Sequence, residues 1–209
     1  QDGGANHIAK TIKEIKVQCP ETIIEPLIPD FHGNRHAIEN VANAGPEVIS
    51  HNIETVARIS PLIRDPRATY KQSLRVLEMI KDIDYKIYTK SSMMLGLGEM
   101  EEEVMQAARD LRSAGVDMVS IGQYLQPTSR HVPVKEYIAP EKFDSYRKSI
   151  EKMGFAYVVA GPFIRSSYKA GELFIKNMFY SRQRSNINNN NNTNNNNNSS
   201  SSSSYPKQD

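Results

Sequence analysis

Five short apolar runs alternate with five helix-periodic segments along this chain, and that alternation restricts the fold more than any other feature. The runs cover residues 22–28, 47–55, 86–95, 117–124 and 155–160, spaced about 25 to 40 residues apart. Between them, Ile8, Ile12 and Ile15 recur at helical spacing over 5–17, and Leu74, Leu77 and Ile80 do the same over 70–83. Further helices are predicted over 35–44, 100–114 and 140–153. Glu101, Glu102 and Glu103 load the positive end of the fourth helix, Gly115 ends it, and Pro140 occupies the first position of the fifth. Only the first run is compromised, because Pro26 removes a ladder donor. Strands spaced by single helices predict repeated βα units on a parallel sheet, an α/β architecture.

The apolar supply ends before the chain does. Residues 186–209 hold eleven asparagines and a run of six serines. Such a segment cannot bury enough surface to offset its ordering entropy, so disorder is expected there. The predicted organisation is one folded domain over 1–180 and an Asn/Ser-rich tail over 181–209. Asn191-Asn192-Thr193 matches a glycosylation sequon, which an asparagine tract produces by chance. A net charge of +2 selects no polyanionic partner. Arg165, Lys169, Lys176, Arg182 and Arg184 lack interleaved aromatics, so a solvated face is the expectation and nucleic acid is not. No apolar run is long enough for a membrane-spanning helix. Cys19 is the single cysteine of the sequence, which excludes internal disulfides and Cys-rich metal sites built from this chain alone.

Each run passes at its C-terminal end into polar or glycine-rich sequence, where α/β sheets and barrels place their sites. These ends are Pro29-Asp30-Phe31, His51-Asn52-Ile53-Glu54, Gly96-Leu97-Gly98-Glu99, Gln123-Tyr124-Leu125-Gln126 and Arg165-Ser166-Ser167-Tyr168. Five such ends pointing one way suggest a shared site. Each has an alternative reading. Ser166 or Ser167 caps a following helix in which Leu173, Ile175 and Phe179 recur, or presents a hydroxyl. Gly96 and Gly98 make a turn, or admit a ligand close to the backbone, with Glu99 accepting from an amine or ribose. They lack the third glycine of a dinucleotide fingerprint. Asn52 and Glu54, on one side of their strand, are an edge-strand polar pair, or hold ribose hydroxyls or an ammonium group. His32, His36, His51 and His131 show no metal-ligand spacing, and no Ser/His/Asp set or phosphate loop is visible.

Taken in order, Ile28-Pro29-Asp30-Phe31, Gly45-Pro46-Glu47-Val48, His51-Asn52-Ile53-Glu54-Thr55, Met94-Leu95-Gly96-Leu97-Gly98-Glu99, Ile121-Gly122-Gln123-Tyr124-Leu125-Gln126-Pro127, Arg130-His131-Val132-Pro133-Val134 and Gly161-Pro162-Phe163-Ile164-Arg165-Ser166-Ser167-Tyr168 closely resemble the lipoyl synthase family of radical S-adenosylmethionine enzymes. The resemblance covers nearly all of 1–180. It implies the C-terminal strands and helices of a partial (β/α)6 radical-SAM barrel. It also implies insertion of two sulfurs, at C6 and C8, into an octanoyl chain carried on a lipoyl-domain protein. The implied cofactors are S-adenosylmethionine and two 4Fe–4S clusters, one cleaving S-adenosylmethionine and one auxiliary cluster donating sulfur. Partners implied are octanoylated lipoyl-domain proteins (E2 subunits of 2-oxoacid dehydrogenases and the glycine cleavage H protein) and an electron donor, in mitochondria. Within the resemblance, Ser167 is the serine ligand of the auxiliary cluster and Arg165 stands beside cluster or substrate. Asn52, Glu54, Lys90, Ser91, Gly96, Gly98 and Glu99 contact S-adenosylmethionine.

One departure matters. The family's Cys-x3-Cys-x2-Cys and Cys-x4-Cys-x5-Cys sets are expected upstream of the first residue, and Cys19 matches neither. The expectation is therefore a C-terminal portion of the catalytic domain, lacking its first two strands and inactive alone. Two other readings stay open: a non-catalytic remnant docking lipoyl-domain proteins through 129–134, and an ordinary α/β barrel enzyme using Glu54 or Glu99 as a base.

Overall fold

A computed structural model describes residues 2–167 of the chain. Four strands, β1 (Val48–Ser50), β2 (Tyr88–Leu95), β3 (Met118–Gln123) and β4 (Tyr157–Gly161), form one sheet in the order β1-β2-β3-β4, every neighbouring pair parallel. The helices are α1 (Ala5–Gln18), α2 (Arg35–Ala42), α3 (Ser60–Ile63), α4 (Tyr70–Ile83), α5 (Glu101–Ser113) and α6 (Pro140–Glu151). Neighbours in sequence are neighbours in the sheet, the order expected of successive βα units curling toward a barrel.

Register sorts the strand residues onto two faces. Met93 and Leu95 of β2, Val119 and Ile121 of β3, and Val158 of β4 pack with Val104, Leu111, Phe143 and Ile150 of α5 and α6 in one apolar cluster. Ile49 of β1 joins Ile12, Ile38, Val41, Val76 and Ile80 of α1, α2 and α4 in a second. Full burial of such side chains contributes about 1.5–3 kcal/mol each, and this face holds the sheet to its helices. The alternate residues are different in kind. Ser50 pairs with Lys90, and Ser92 with Ser120, so the opposite face carries a polar row.

Five strands were expected and four are regular. Residues 24–28 still run alongside β1: the Val48 N–H donates to Ile24 O, Ser50 to Pro26 O, and Ile28 to Ser50 O. Pro26 cannot supply the remaining donor, so the pairing registers only as a bridge at Leu27. β1 also stops earlier than its apolar run. Ser50 faces Lys90, but the next parallel pairing joins Glu54 to Met93. One more residue is used on β1's side than on β2's, which defines a bulge over 51–54. Glu54 absorbs the irregularity with a φ of 66°. The helices at 5–17, 35–44, 70–83, 100–114 and 140–153 all form, ends shifting by at most two residues. The four-residue α3 lies between the second apolar run and the helix at 70–83, where the sequence predicts no element. The helix proposed beyond Tyr168 and the tail over 181–209 lie outside the described residues.

Candidate functional site at the strand ends

The bulge after β1 opens a cleft of about 340 Å³ whose lining includes Asp30, His51, Asn52, Glu54 and Arg64. Local chemistry holds the bulge open. Ile53 N–H, turned out of the ladder, donates to Ser91 Oγ (3.2 Å). Glu54 N–H donates to Ser92 O, and Glu54 O accepts from Met94 N–H. Ile53 is fully buried, so Asn52 and Glu54 are turned to the cleft. Asn52 Oδ1 is buried yet has no hydrogen-bond partner among the described residues. A buried carbonyl oxygen without a donor costs about 1–3 kcal/mol, and Glu54's left-handed backbone costs on the order of 1–2 kcal/mol more. Unrelieved costs of this kind gather where a ligand is bound.

His51 is not a cleft acid or base. Its Nδ1 lies 2.9 Å from Ile28 O, which can only accept, so Nδ1 carries the proton. Nε2 then accepts from the Ser73 hydroxyl (2.9 Å), whose oxygen accepts from Arg64 Nη1 (3.0 Å). Burial pushes the imidazole below its ordinary pKa, against the carbonyl bond to Ile28, which favours the charged form. The neutral ring ties the end of β1 to α4 and fixes Arg64 at the cleft rim.

On the polar face behind the cleft, Lys90 Nζ lies 2.7 Å from Glu25 Oε1, which also accepts from Ser50 Oγ at 2.7 Å. Lys90 thus carries its own counter-ion. Ser91 is fully buried on the helix-facing side and supports the bulge from behind.

The glycine loop after β2 is closed by its own glutamate. Glu99 accepts from Gly96 N–H through Oε1 (2.5 Å) and from Leu97 N–H through Oε2 (2.9 Å). Gly96 takes φ 105°, and a Cβ there would collide with the Gln123 amide and the Glu136 carbonyl. Gly98 O accepts from Arg58 Nη2 (2.8 Å), and Arg58 is paired with Glu103, whose carboxylate that pairing lowers to about 2.

Gln123 organises the segment after β3. Its Nε2 donates to Tyr124 O and Glu136 O (3.0 Å each), and its Oε1 accepts from Ile138 N–H (2.9 Å). Tyr124 Oη donates to Val132 O, and Lys135 N–H to Gly96 O. Residues 124–138 are thereby strapped across the ends of β2 and β3. After β4 the chain folds back onto β3: a Cβ on Gly122 would fall on Ile164 O, and Arg165 Nη1 donates to Gln123 O (3.2 Å). Ser167 follows, exposed. Asn52 and Glu54 therefore share one cleft, Gly96 to Glu99 meet the Gln123 strap, and Arg165 and Ser167 sit where β4 ends beside β3. Arg64 and Glu25 carry no spacing signal; only tertiary contacts bring them to the strand ends.

The arrangement is that of a βα-barrel arc with its polar ends gathered on one rim. Residues 4–111 match the Radical SAM superfamily, and the chain belongs to that superfamily. It is similar to the mitochondrial lipoyl synthase of Caenorhabditis elegans, 52% identical over 182 residues, covering 87% of this chain and 51% of that protein. It is likewise similar to that of Schistosoma mansoni, 55% identical over 196 residues and covering 89% and 48%. Against the apicoplast lipoyl synthase of Plasmodium knowlesi it is 52% identical over 182 residues, covering 87% and 41%. The chain spans about half the length of the curated relatives it matches. In fold it is similar to methylornithine synthase, with TM-score 0.54 at 12% identity over 77% of this chain and 54% of that one.

Superfamily membership implies S-adenosylmethionine and iron–sulfur chemistry. The two groups fit these residues unequally. The orphaned Asn52 Oδ1 and the Glu54 carboxylate in one cleft suit a polyhydroxylated, amine-bearing ligand. A cluster does not fit: no group of three or more His, Cys, Asp or Glu among the described residues is placed to hold a metal, and Cys19 is exposed and alone.

Proposed function

We propose that residues 1–180 are the C-terminal part of the radical-SAM domain of a lipoyl synthase, which inserts two sulfur atoms at C6 and C8 of octanoyl groups on lipoyl-domain proteins. The observation that carries the reading is the strained bulge with its unpartnered Asn52 oxygen, at the rim where a radical-SAM barrel binds its cofactor. Roughly half-identity to lipoyl synthases over nearly nine-tenths of the chain supports it. S-adenosylmethionine would lie across Asn52 and Glu54, with the loop from Gly96 to Glu99 beside it; given one electron from the electron donor, it would supply the hydrogen-abstracting radical. Lys90, paired with Glu25, and buried Ser91 would shape the floor. Ser167 is the hydroxyl this chain would offer to an iron, and Arg165 holds the segment carrying it against Gln123. Two 4Fe–4S clusters are the cofactors of the whole enzyme in this reading, but one cysteine cannot hold either, so the chain alone is expected to make no lipoyl product.

Octanoylated E2 subunits and the glycine cleavage H protein are the proposed acceptors, with an electron donor. The mitochondrion is the proposed compartment, on the names of the relatives. The test is a chimera in which this chain replaces the matching half of the Schistosoma mansoni enzyme. Mass spectrometry of an octanoylated lipoyl domain should show the gain of two sulfurs, lost in the Asn52→Leu and Ser167→Ala chimeras. A folded, cluster-loaded chimera without product would defeat the reading.

A further inference from the structure

The segments that cross the ends of β3 and β4 expose large apolar side chains. Tyr137 is 73% exposed, Phe163 82% and Leu125 48%. Gln123 gathers them at one end of the sheet. Its side chain bonds the backbone on both sides of Tyr137, at Glu136 O and Ile138 N–H, and Leu125 lies two residues beyond it. Its own carbonyl accepts from Arg165, two residues after Phe163. Positive charge accompanies these residues. The sequence from 118 to 140 carries Arg130 and Lys135 with Glu136 as its single acid, and from 155 to 168 it carries Arg165 and no acid. All three cations are exposed and form no ion pair with a described residue, while Glu136 attracts Lys142 of α6. The nearby acids are already used: Glu101 pairs with Lys142, Glu103 with Arg58, and Glu99 accepts from its own loop. Large exposed aromatics beside unneutralised cations, on backbone pinned to the sheet, have the composition of a protein-docking surface.

We propose that this surface docks an acidic face of the folded carrier domain that bears the octanoyl-lysine, an inference that rests on the lipoyl synthase reading above. The reach of the substrate places the carrier here. An octanoyl-lysine arm spans on the order of 15 Å from Cα to its last carbon, so a carbon that enters the strand ends keeps the carrier's backbone close above them. Tyr137 and Phe163 are the apolar anchors of the contact. Arg130 and Lys135 meet carboxylates of the carrier, which speeds encounter and sets orientation. Because Gln123 holds the backbone on either side of Tyr137, that anchor is presented with little ordering left to do on docking.

The test titrates octanoylated glycine cleavage H protein against the full chain and against its Tyr137→Ala and Arg130→Gln/Lys135→Gln variants. Tyr137→Ala should weaken binding about tenfold or more. The double variant should weaken it about three- to tenfold at low salt, and the difference should vanish at high salt. In the Schistosoma mansoni chimera the same variants should raise KM for the H protein with kcat unchanged. They should turn over a short octanoyl-lysine peptide as the parent chimera does. Unaltered binding and KM in both variants overturns the docking surface while sulfur insertion stands. Equal losses on H protein and peptide also overturn it, because the segment would then act on the site and not on the carrier. A cluster-loaded chimera without product defeats the lipoyl synthase reading, and the titration then decides docking by itself. Salt-sensitive binding weakened in both variants upholds the surface, and no binding to the parent chain overturns it.

Discussion

Replacing Gln123 by Leu tests how the rim is built. The Gln123 side chain is 3% exposed and makes three hydrogen bonds, two of them to residues 136 and 138. At about 1 kcal/mol net for each, the loss is about 3 kcal/mol, with leucine conserving the volume. Part returns from water, because Glu136 is exposed and Ile138 half-buried. The expected cost is then about 2–3 kcal/mol, falling on the strap rather than on the sheet. Hydrogen exchange reads this directly: the Ile138 amide should exchange about two orders of magnitude faster, at a factor of ten per roughly 1.4 kcal/mol. The Tyr124 amide, bonded to Leu95 O at 2.8 Å within the sheet, serves as control and should keep its protection. Gln123→Glu should be worse, since a carboxylate would face the Tyr124 and Glu136 carbonyls. Unchanged Ile138 protection in Gln123→Leu would falsify the assignment of Gln123 as the clamp.

Three further outcomes follow from named contacts. Gly122→Ala puts a methyl on Ile164 O, so residues 162–167 should lift from β3 at a cost of about 1–3 kcal/mol, seen as new protease cleavage there; an uncut variant of unchanged stability would refute the contact. Glu54→Gly removes a left-handed non-glycine at φ 66°, so the unfolding free energy from urea titration should hold or rise by up to about 1 kcal/mol while S-adenosylmethionine binding weakens; clear destabilisation would show that the conformation is not strained. His51 has a folded-state pKa below its ordinary 6.5, so the unfolded chain takes the proton first. Its contribution to stability is complete above about pH 6.5 and is lost as pH falls toward the depressed value. His51→Gln should flatten that part of the stability–pH curve, and an unaltered slope would count against the neutral, doubly bonded ring.

How much of this was legible in the chain depends on the range of the contact involved. Helix α4 forms over 70–83 as its Leu74, Leu77 and Ile80 spacing required, and α5 stops before Gly115, because these signals act within a turn or two of backbone. The five polar strand ends were readable as one rim, since parallel strands joined by helices must all end on the same side. The interruption of β1 was not readable. His51 to Glu54 continues an apolar-polar alternation, and nothing in that pattern reports an extra residue. The bulge exists because Ser91 accepts from Ile53 and Glu54 bonds across to Ser92 and Met94, some 38 residues away in sequence.

The sequence by itself determined the βα repeat, the helix limits, the polar rim and the family likeness, all carried by local periodicity and contiguous motifs. Tertiary structure alone decided what each rim residue is free to do. Lys90 is neutralised by Glu25, Glu99 is spent on its own loop, and His51 is locked as a neutral brace. Arg64 and Asn52 are left with hydrogen-bonding capacity that no described residue uses. That division is physical: whether a polar group is available for a ligand depends on which distant donors and acceptors already satisfy it, and those partners are assigned only when the sheet closes.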